Sequence, residues 1–138
     1  KGRYALRVMI DLAENGGGKY LPLRDVAERQ HISEKYLESI IVLLSRAGYL
    51  EGMRGKGGGY RLTREPGEDT VGSILRLTEG DLAPVACLSG PELKCERAAT
   101  CRTLSMWRKF YNMTNEFFDG ITLEELMWPE KSGDDYVI

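Results

Sequence analysis

With 138 residues, 42% of them apolar and 29% charged, the chain can bury the core of one compact domain, or of a small head with an appendage; it is not composed like a disordered tail. No apolar run approaches the length that spans a bilayer and no secretory signal pattern opens the chain, so a cytoplasmic, membrane-free protein is expected; the start at Lys1 implies a missing upstream segment. The net charge of −2 argues against a polyanionic partner, but residues 1–64 hold 12 Lys/Arg against 7 Asp/Glu while residues 65–138 hold 7 against 14, so the front half alone is suited to meet one.

The stretch Tyr4–Glu14 has apolar residues at 5, 6, 8, 9, 10, 12 and 13, too dense for a one-faced surface helix, and predicts a largely buried one stopped by Asn15-Gly-Gly-Gly18. Tyr20-Leu-Pro22 reads as extended, with Pro22 able to enter the first turn of the next helix. Leu23 to Gln30 predicts a short helix with Leu23, Val26 and Ala27 on one face. After the break His31-Ile32-Ser33, Ser33 is placed to cap a longer helix to about Ala47, with Tyr36, Leu37, Ile40, Ile41, Leu43 and Leu44 at helical spacing. Short helix, tight turn and longer helix form a helix-turn-helix signature. Two β-prone runs, Tyr49–Met53 and Gly59–Thr63, flank a tip rich in Gly, Lys and Arg and predict a hairpin wing.

The polar run Arg64–Asp69 marks the expected domain boundary, dividing a winged helix-turn-helix over 1–64 from a second region over 65–138. Thr70 is placed to cap a helix to about Glu79, and residues 81–100 read as a loop. From Cys101 to Asp119 the pattern is helical, with two adjacent apolar stripes: Leu104, Trp107, Tyr111, Thr114 and Phe118, then Met106, Phe110, Met113 and Phe117. That is more than one packing partner usually requires and points to a subunit interface in a homodimer. Thr122 caps a last short helix, with Glu125 as its reciprocal capping-box partner, and the tail after Trp128-Pro129 is expected to fray. The fold class is therefore mainly α with a small β-hairpin wing and a long dimerisation helix.

In such a fold the second helix of the pair enters the major groove, and Ser33, Lys35, Tyr36, Glu38 and Ser39 lie near its N-terminus. Glu38 is the informative residue. Phosphate repels a carboxylate, so Glu38 either accepts from a cytosine amino group or sits on a solvated rim. On the wing, Arg54, Lys56 and Arg61 surround Gly57 and Gly58, where glycine permits close backbone approach and a narrow minor groove attracts arginine. A flexible hairpin with incidental charge is the alternative for an isolated glycine-rich tip; its place directly after a helix-turn-helix favours DNA. His31, in the turn, is assigned a structural or solvent role.

Cys87, Cys95 and Cys101 share a 15-residue window, separated by seven and then five residues. The odd count and the lack of paired C-x2-C knuckles disfavour a disulfide framework and zinc, and leave an iron–sulfur cluster or thiol redox chemistry, including a Cys87–Cys95 or Cys95–Cys101 switch. No C-x-x-C is present and the sole histidine lies in the DNA turn, so an enzyme is not expected.

The segments Lys1–Arg7, Ala27–Glu38, Arg54–Tyr60, Cys101–Trp107 and Ile121–Leu126 together resemble the IscR/NsrR/CymR-type (Rrf family) regulators, over nearly the whole chain and nearest to the IscR-like members with three cysteines. The resemblance implies a homodimeric, sequence-specific regulator of double-stranded DNA, with repression expected. It implies joining through the helix near 101–119, Glu38 as a base reader, Arg54 as the arginine of the minor groove, and a 2Fe–2S cluster, ahead of a 4Fe–4S one, on the three cysteines. The alternative is a cluster-free regulator controlled by thiol oxidation or by a cysteine-metabolism enzyme as partner. Four departures stand out. Lys56 replaces a proline and adds a candidate phosphate contact, and the first cysteine gap is two residues longer than in IscR-like members. Leu104 stands where those members place a histidine ligand, and Arg3 where the NsrR-like branch has an acidic one. A fourth ligand would come from Glu92, Glu96, another residue of either subunit, or an external thiol.

Overall fold

The computed structural model describes residues 1–85, 88–89 and 100–127, so Cys87, Cys95, Glu92, Glu96 and the tail after Trp128 lie outside the described residues. Helix α1 spans Gly2–Gly16, two residues longer at each end than the Tyr4–Glu14 stretch, and Gly17 closes it in the left-handed region at φ 55°. Helix α2 spans Leu23–Gln30, with Pro22 as the extended residue just before it rather than inside its first turn. His31 then turns left-handed at φ 55°, the one non-glycine residue with positive φ among those described. That reversal separates α2 from α3, Glu34–Arg46, whose first turn is capped by the Ser33 hydroxyl accepting from the Tyr36 amide at 3.1 Å.

Strands β1 (Leu50–Met53) and β2 (Gly59–Leu62) form the antiparallel wing, with Glu51 opposite Arg61 and Gly52 opposite Tyr60. The wing is tied to the head through backbone: Tyr60 donates to the Leu21 carbonyl at 2.8 Å and Leu21 to that of Tyr60 at 2.9 Å. A 3-10 turn at Pro66–Glu68 carries the reciprocal capping box, between Glu65 and Glu68. Helix α4 (Val71–Glu79) is capped by Thr70 and helix α6 (Leu123–Leu126) by Thr122, the hydroxyl accepting from Ser73 and Glu125 amides respectively. Between them lies α5, Leu104–Asp119.

One apolar core runs through these elements. Val8 and Met9 of α1 pack with Leu37, Ile40, Ile41 and Leu44 of α3, Leu50 of the wing, Ile74 of α4 and Leu123 of α6. Each such side chain, removed from water, contributes about 1.5–3 kcal/mol. The core thus crosses residue 64, and backbone bonds from Val71 to Ile121 and from Leu123 to Asp69 join α4 to the start of α6. Helix α5 is held to α4 by Arg76, which donates to Asn115 at 3.0 Å and pairs with Asp119. No helix among the described residues is long and apolar enough to cross a membrane.

Candidate nucleic-acid interface

Helix α3 divides by periodicity into two faces. Leu37, Ile40, Ile41 and Leu44 are buried, whereas Lys35, Glu38, Ser39, Val42 and Arg46 are exposed. The exposed residues recur at three- and four-residue steps and so form one stripe. Ser33 is spent partly on its cap, and the Ser39 hydroxyl donates to the Tyr36 carbonyl at 2.6 Å. Tyr36 is half-buried, its ring edge-on to Tyr4 with centroids 5.5 Å apart. The Arg7 guanidinium lies 4.9 Å from the Tyr4 centroid and donates to Gln30 through both Nε and Nη2, at 3.0 and 2.6 Å. The start of α3 is therefore braced by α1, which orients Tyr36 before any ligand arrives.

A second brace lies beneath α2. The carboxylate of Asp11, almost wholly buried, accepts from Arg29 Nε at 3.0 Å, Arg29 Nη2 at 2.8 Å and Gln30 Nε2 at 2.8 Å. That hydrogen bonding to Asp11, opposed by burial, raises the Arg29 pKa above its usual value. A buried carboxylate is tolerated because its partners satisfy it, and the arrangement fixes α1 against α2.

The wing sorts its own cations. Arg54 and Lys56 are exposed at the tip beside exposed Gly57, while Gly58 is buried. Arg61 is engaged internally: Nε donates to Glu51 at 2.8 Å, Nη1 to the Gly18 carbonyl at 3.2 Å, and its guanidinium lies 4.3 Å from the Tyr20 centroid. It straps β1, β2 and the α1–α2 connection together. Spacing alone ranked Arg61 with Arg54 and Lys56; cross-strand pairing with Glu51 separates them. Exposed Val42 and Arg46 extend the stripe beyond the first turns of α3, where the sequence-based candidates stop. Their spacing alone places both on the 35, 38, 39 stripe.

An open groove of about 940 Å³ between the α1 C-terminus, the wing base and α6 shares no residue with that stripe. Its rim carries Glu65, Glu68, Glu124 and Glu125, a charge pattern that repels a phosphate backbone.

Cys101 is half-exposed and precedes α5, with its sulfur 3.6 Å from the Thr103 hydroxyl. Leu104, three residues on, is buried in the first turn of α5. No group of three or more His, Cys, Asp or Glu that could hold a metal occurs among the described residues, which do not include Cys87 and Cys95. Cys101 is half-exposed on irregular backbone, and thiolate is a soft-metal ligand type, so the residue is compatible with the role that the three-thiol pattern suggests.

A short helix, a left-handed turn, a second helix with one polar face outward and a basic two-stranded wing define a winged helix-turn-helix DNA-binding protein. The Rrf2 family model, described as an iron-dependent transcriptional regulator, matches residues 1–129. The chain belongs to this family. It is 39% identical over 127 residues to the HTH-type transcriptional regulator IscR of Aliivibrio salmonicida, covering 92% of this chain and 74% of that one. Among solved structures it is similar to CymR, the global cysteine regulator of B. subtilis, with TM-score 0.73 and 35% identity over 91% of both chains. It is also similar to T. potens IscR, with TM-score 0.71 and 38% identity over 91% of this chain and 81% of that one. The protein is a DNA-binding transcription regulator and not an enzyme.

Proposed function

We propose that the chain acts in the cytoplasm as a homodimeric, sequence-specific repressor whose DNA affinity answers to iron–sulfur or thiol status through Cys87, Cys95 and Cys101. The observation that carries this reading is the juxtaposition at α5. Met106, Phe110, Met113 and Phe117 are between 52% and 63% exposed along one stripe, and Cys101 stands three residues before the helix. An uncovered stripe of that size suits a second copy, and the cysteine segment feeds directly into it. In this reading residues 1–64 form the reading head and 65–138 the sensing and dimerisation part, although they share a core. Lys35, Glu38 and Ser39 face base edges, Ser33 and Tyr36 the backbone, and Arg54 enters the minor groove with Lys56 and Gly57 beside it. Gly58 and Arg61 shape and brace the wing.

The residues that would hold a cluster are the three cysteines, and a 2Fe–2S cluster, ahead of a 4Fe–4S one, would supply one-electron redox chemistry and sensitivity to oxidants. Because Leu104 has no donor atom, the fourth ligand falls to Glu92 or Glu96, to another residue of either subunit, or to an external thiol.

The test is anaerobic purification followed by absorption spectroscopy and iron and sulfide assays, alongside DNA binding. A coloured protein with iron and acid-labile sulfide that bleaches in Cys101→Ala is the expected result. A colourless protein after reconstitution, whose DNA affinity instead follows thiol oxidation or a co-purifying enzyme, would replace the cluster by the alternative. For the reading surface, Glu38→Ala should relax discrimination at one base pair by about 1–3 kcal/mol. Full operator discrimination in that variant would assign Glu38 to the solvated rim.

A further inference from the structure

We propose that Val42 reads thymine, its methyl groups packing against the 5-methyl group of that base in the major groove. The inference rests on the reading of α3 as the groove helix and extends it to a residue beyond the first two turns. Lys35, Glu38, Ser39 and Val42 are all exposed and spaced i, i+3, i+4, i+7. A homeodomain recognition helix presents its base-contacting residues at that same spacing, so the fourth position of such a stripe reaches bases as the first three do. Val42 lies three residues beyond Ser39, an advance of about 4.5 Å along the axis, comparable with the rise of roughly one base pair.

Chemistry decides what Val42 meets there. Its residue is 47% exposed, and it is the one exposed large apolar residue among those described on the first four helices. A lone exposed valine is ordinary on a surface; this one stands within a stripe of polar reading residues on the face α3 turns away from the core. It has neither charge nor donor to offer phosphate. The apolar feature of base edges in the major groove is the thymine methyl, and burying two apolar groups against each other is the contact available to Val42. Beside it, the Glu38 carboxylate is matched to a cytosine amino group, so the stripe is suited to a site containing both pyrimidines on the strand it follows.

The test separates this role from DNA binding itself. The full chain is used to select duplexes from a random-sequence pool, and thymines of the selected site are then replaced singly by deoxyuracil. That exchange removes the methyl and leaves every hydrogen-bonding group in place. The expected result is one thymine per half-site whose replacement weakens binding by roughly fourfold, the loss for one buried methyl-sized group. Val42→Ala should bind the thymine and uracil duplexes equally, while Val42→Ile should keep the difference. Circular dichroism of both variants verifies that the exposed substitution leaves the fold intact. Equal affinity of the unaltered protein for every uracil duplex, or the same loss in Val42→Ala, removes the Val42 role and leaves the DNA reading standing. Failure to enrich any duplex removes both.

Discussion

Gly59 occupies a backbone site that a side chain cannot share. Its φ is +142°, and a Cβ there would fall 2.0 Å from the carbonyl oxygen of Leu21, the atom to which the neighbouring Tyr60 amide donates. Gly57, by contrast, has φ +79° with nothing within 4 Å of a Cβ. Gly57→Ala should therefore lose only the backbone strain of a left-handed residue, about 1–2 kcal/mol. Gly59→Ala adds a backbone collision and should cost about 2–4 kcal/mol, while loosening the wing and weakening DNA binding. Thermal unfolding of the two variants checks the order, and equal losses would mean that the Leu21 segment moves aside freely. Sequence alone marked this tip as a turn but could not rank its glycines, because the obstructing carbonyl belongs to a segment almost 40 residues earlier. The contacts of Arg61 with Gly18 and Tyr20 were illegible for the same kind of reason, since both are remote in sequence.

At the scale of elements, the join between the wing and α4 carries an ion pair between exposed Arg64 and buried Asp69. Arg64 donates from Nε to Asp69 at 2.9 Å, and Asp69 is almost fully buried with its second oxygen lacking a hydrogen-bond partner in the structure. Burial pushes the Asp69 carboxyl above its usual range, opposed by the hydrogen bond and charge of Arg64. An acid whose folded pKa is raised binds its proton more tightly when folded, so ionised Asp69 opposes folding above that pKa and the penalty fades as pH falls through it. Removing Arg64 raises this pKa further. Arg64→Ala should therefore destabilise by about 1–2 kcal/mol at neutral pH, discounted for the exposure of Arg64, with the gap to the parent narrowing on acidification towards pH ~4. Denaturant unfolding across that range measures it; a gap independent of pH would assign the loss to packing. The elements themselves were legible because their signals are local: Ser33, Thr70 and Thr122 each cap the helix they precede, and the stripe of α3 repeats every turn. Illegible were the contacts that assemble them, such as Asp11 with Arg29 and Asp69 with Arg64, since charged residues in a sequence do not declare which of them will be buried.

For the whole molecule, the proposed homodimer would have two reading heads act together. The basic half supplies attraction to DNA, while the acidic half, with Glu65, Glu68, Glu124 and Glu125 around one groove, limits how closely the remainder approaches it. Such a division favours contact through the head alone and makes affinity steeply dependent on salt. A single head with a short helix and a small wing offers few phosphate contacts, so the proposed dimer would gain its tight binding from two heads tethered at a fixed distance. The tether in this reading is the exposed stripe of α5. Phe110 and Phe117 are 52% and 63% exposed, so replacing both by glutamate removes little from the monomer core while placing charges where a second copy would pack. The Phe110→Glu/Phe117→Glu protein should keep its helical circular dichroism, sediment as a monomer, and bind a two-half-site duplex on the order of 100-fold more weakly or worse. The slope of log affinity against log salt should fall to roughly half, because one head instead of two releases counterions. A variant that still sediments as a dimer would move the interface away from this stripe. One that becomes monomeric yet keeps affinity and salt slope would show that each head binds independently, and the cysteine segment would then have no shared geometry through which to govern both.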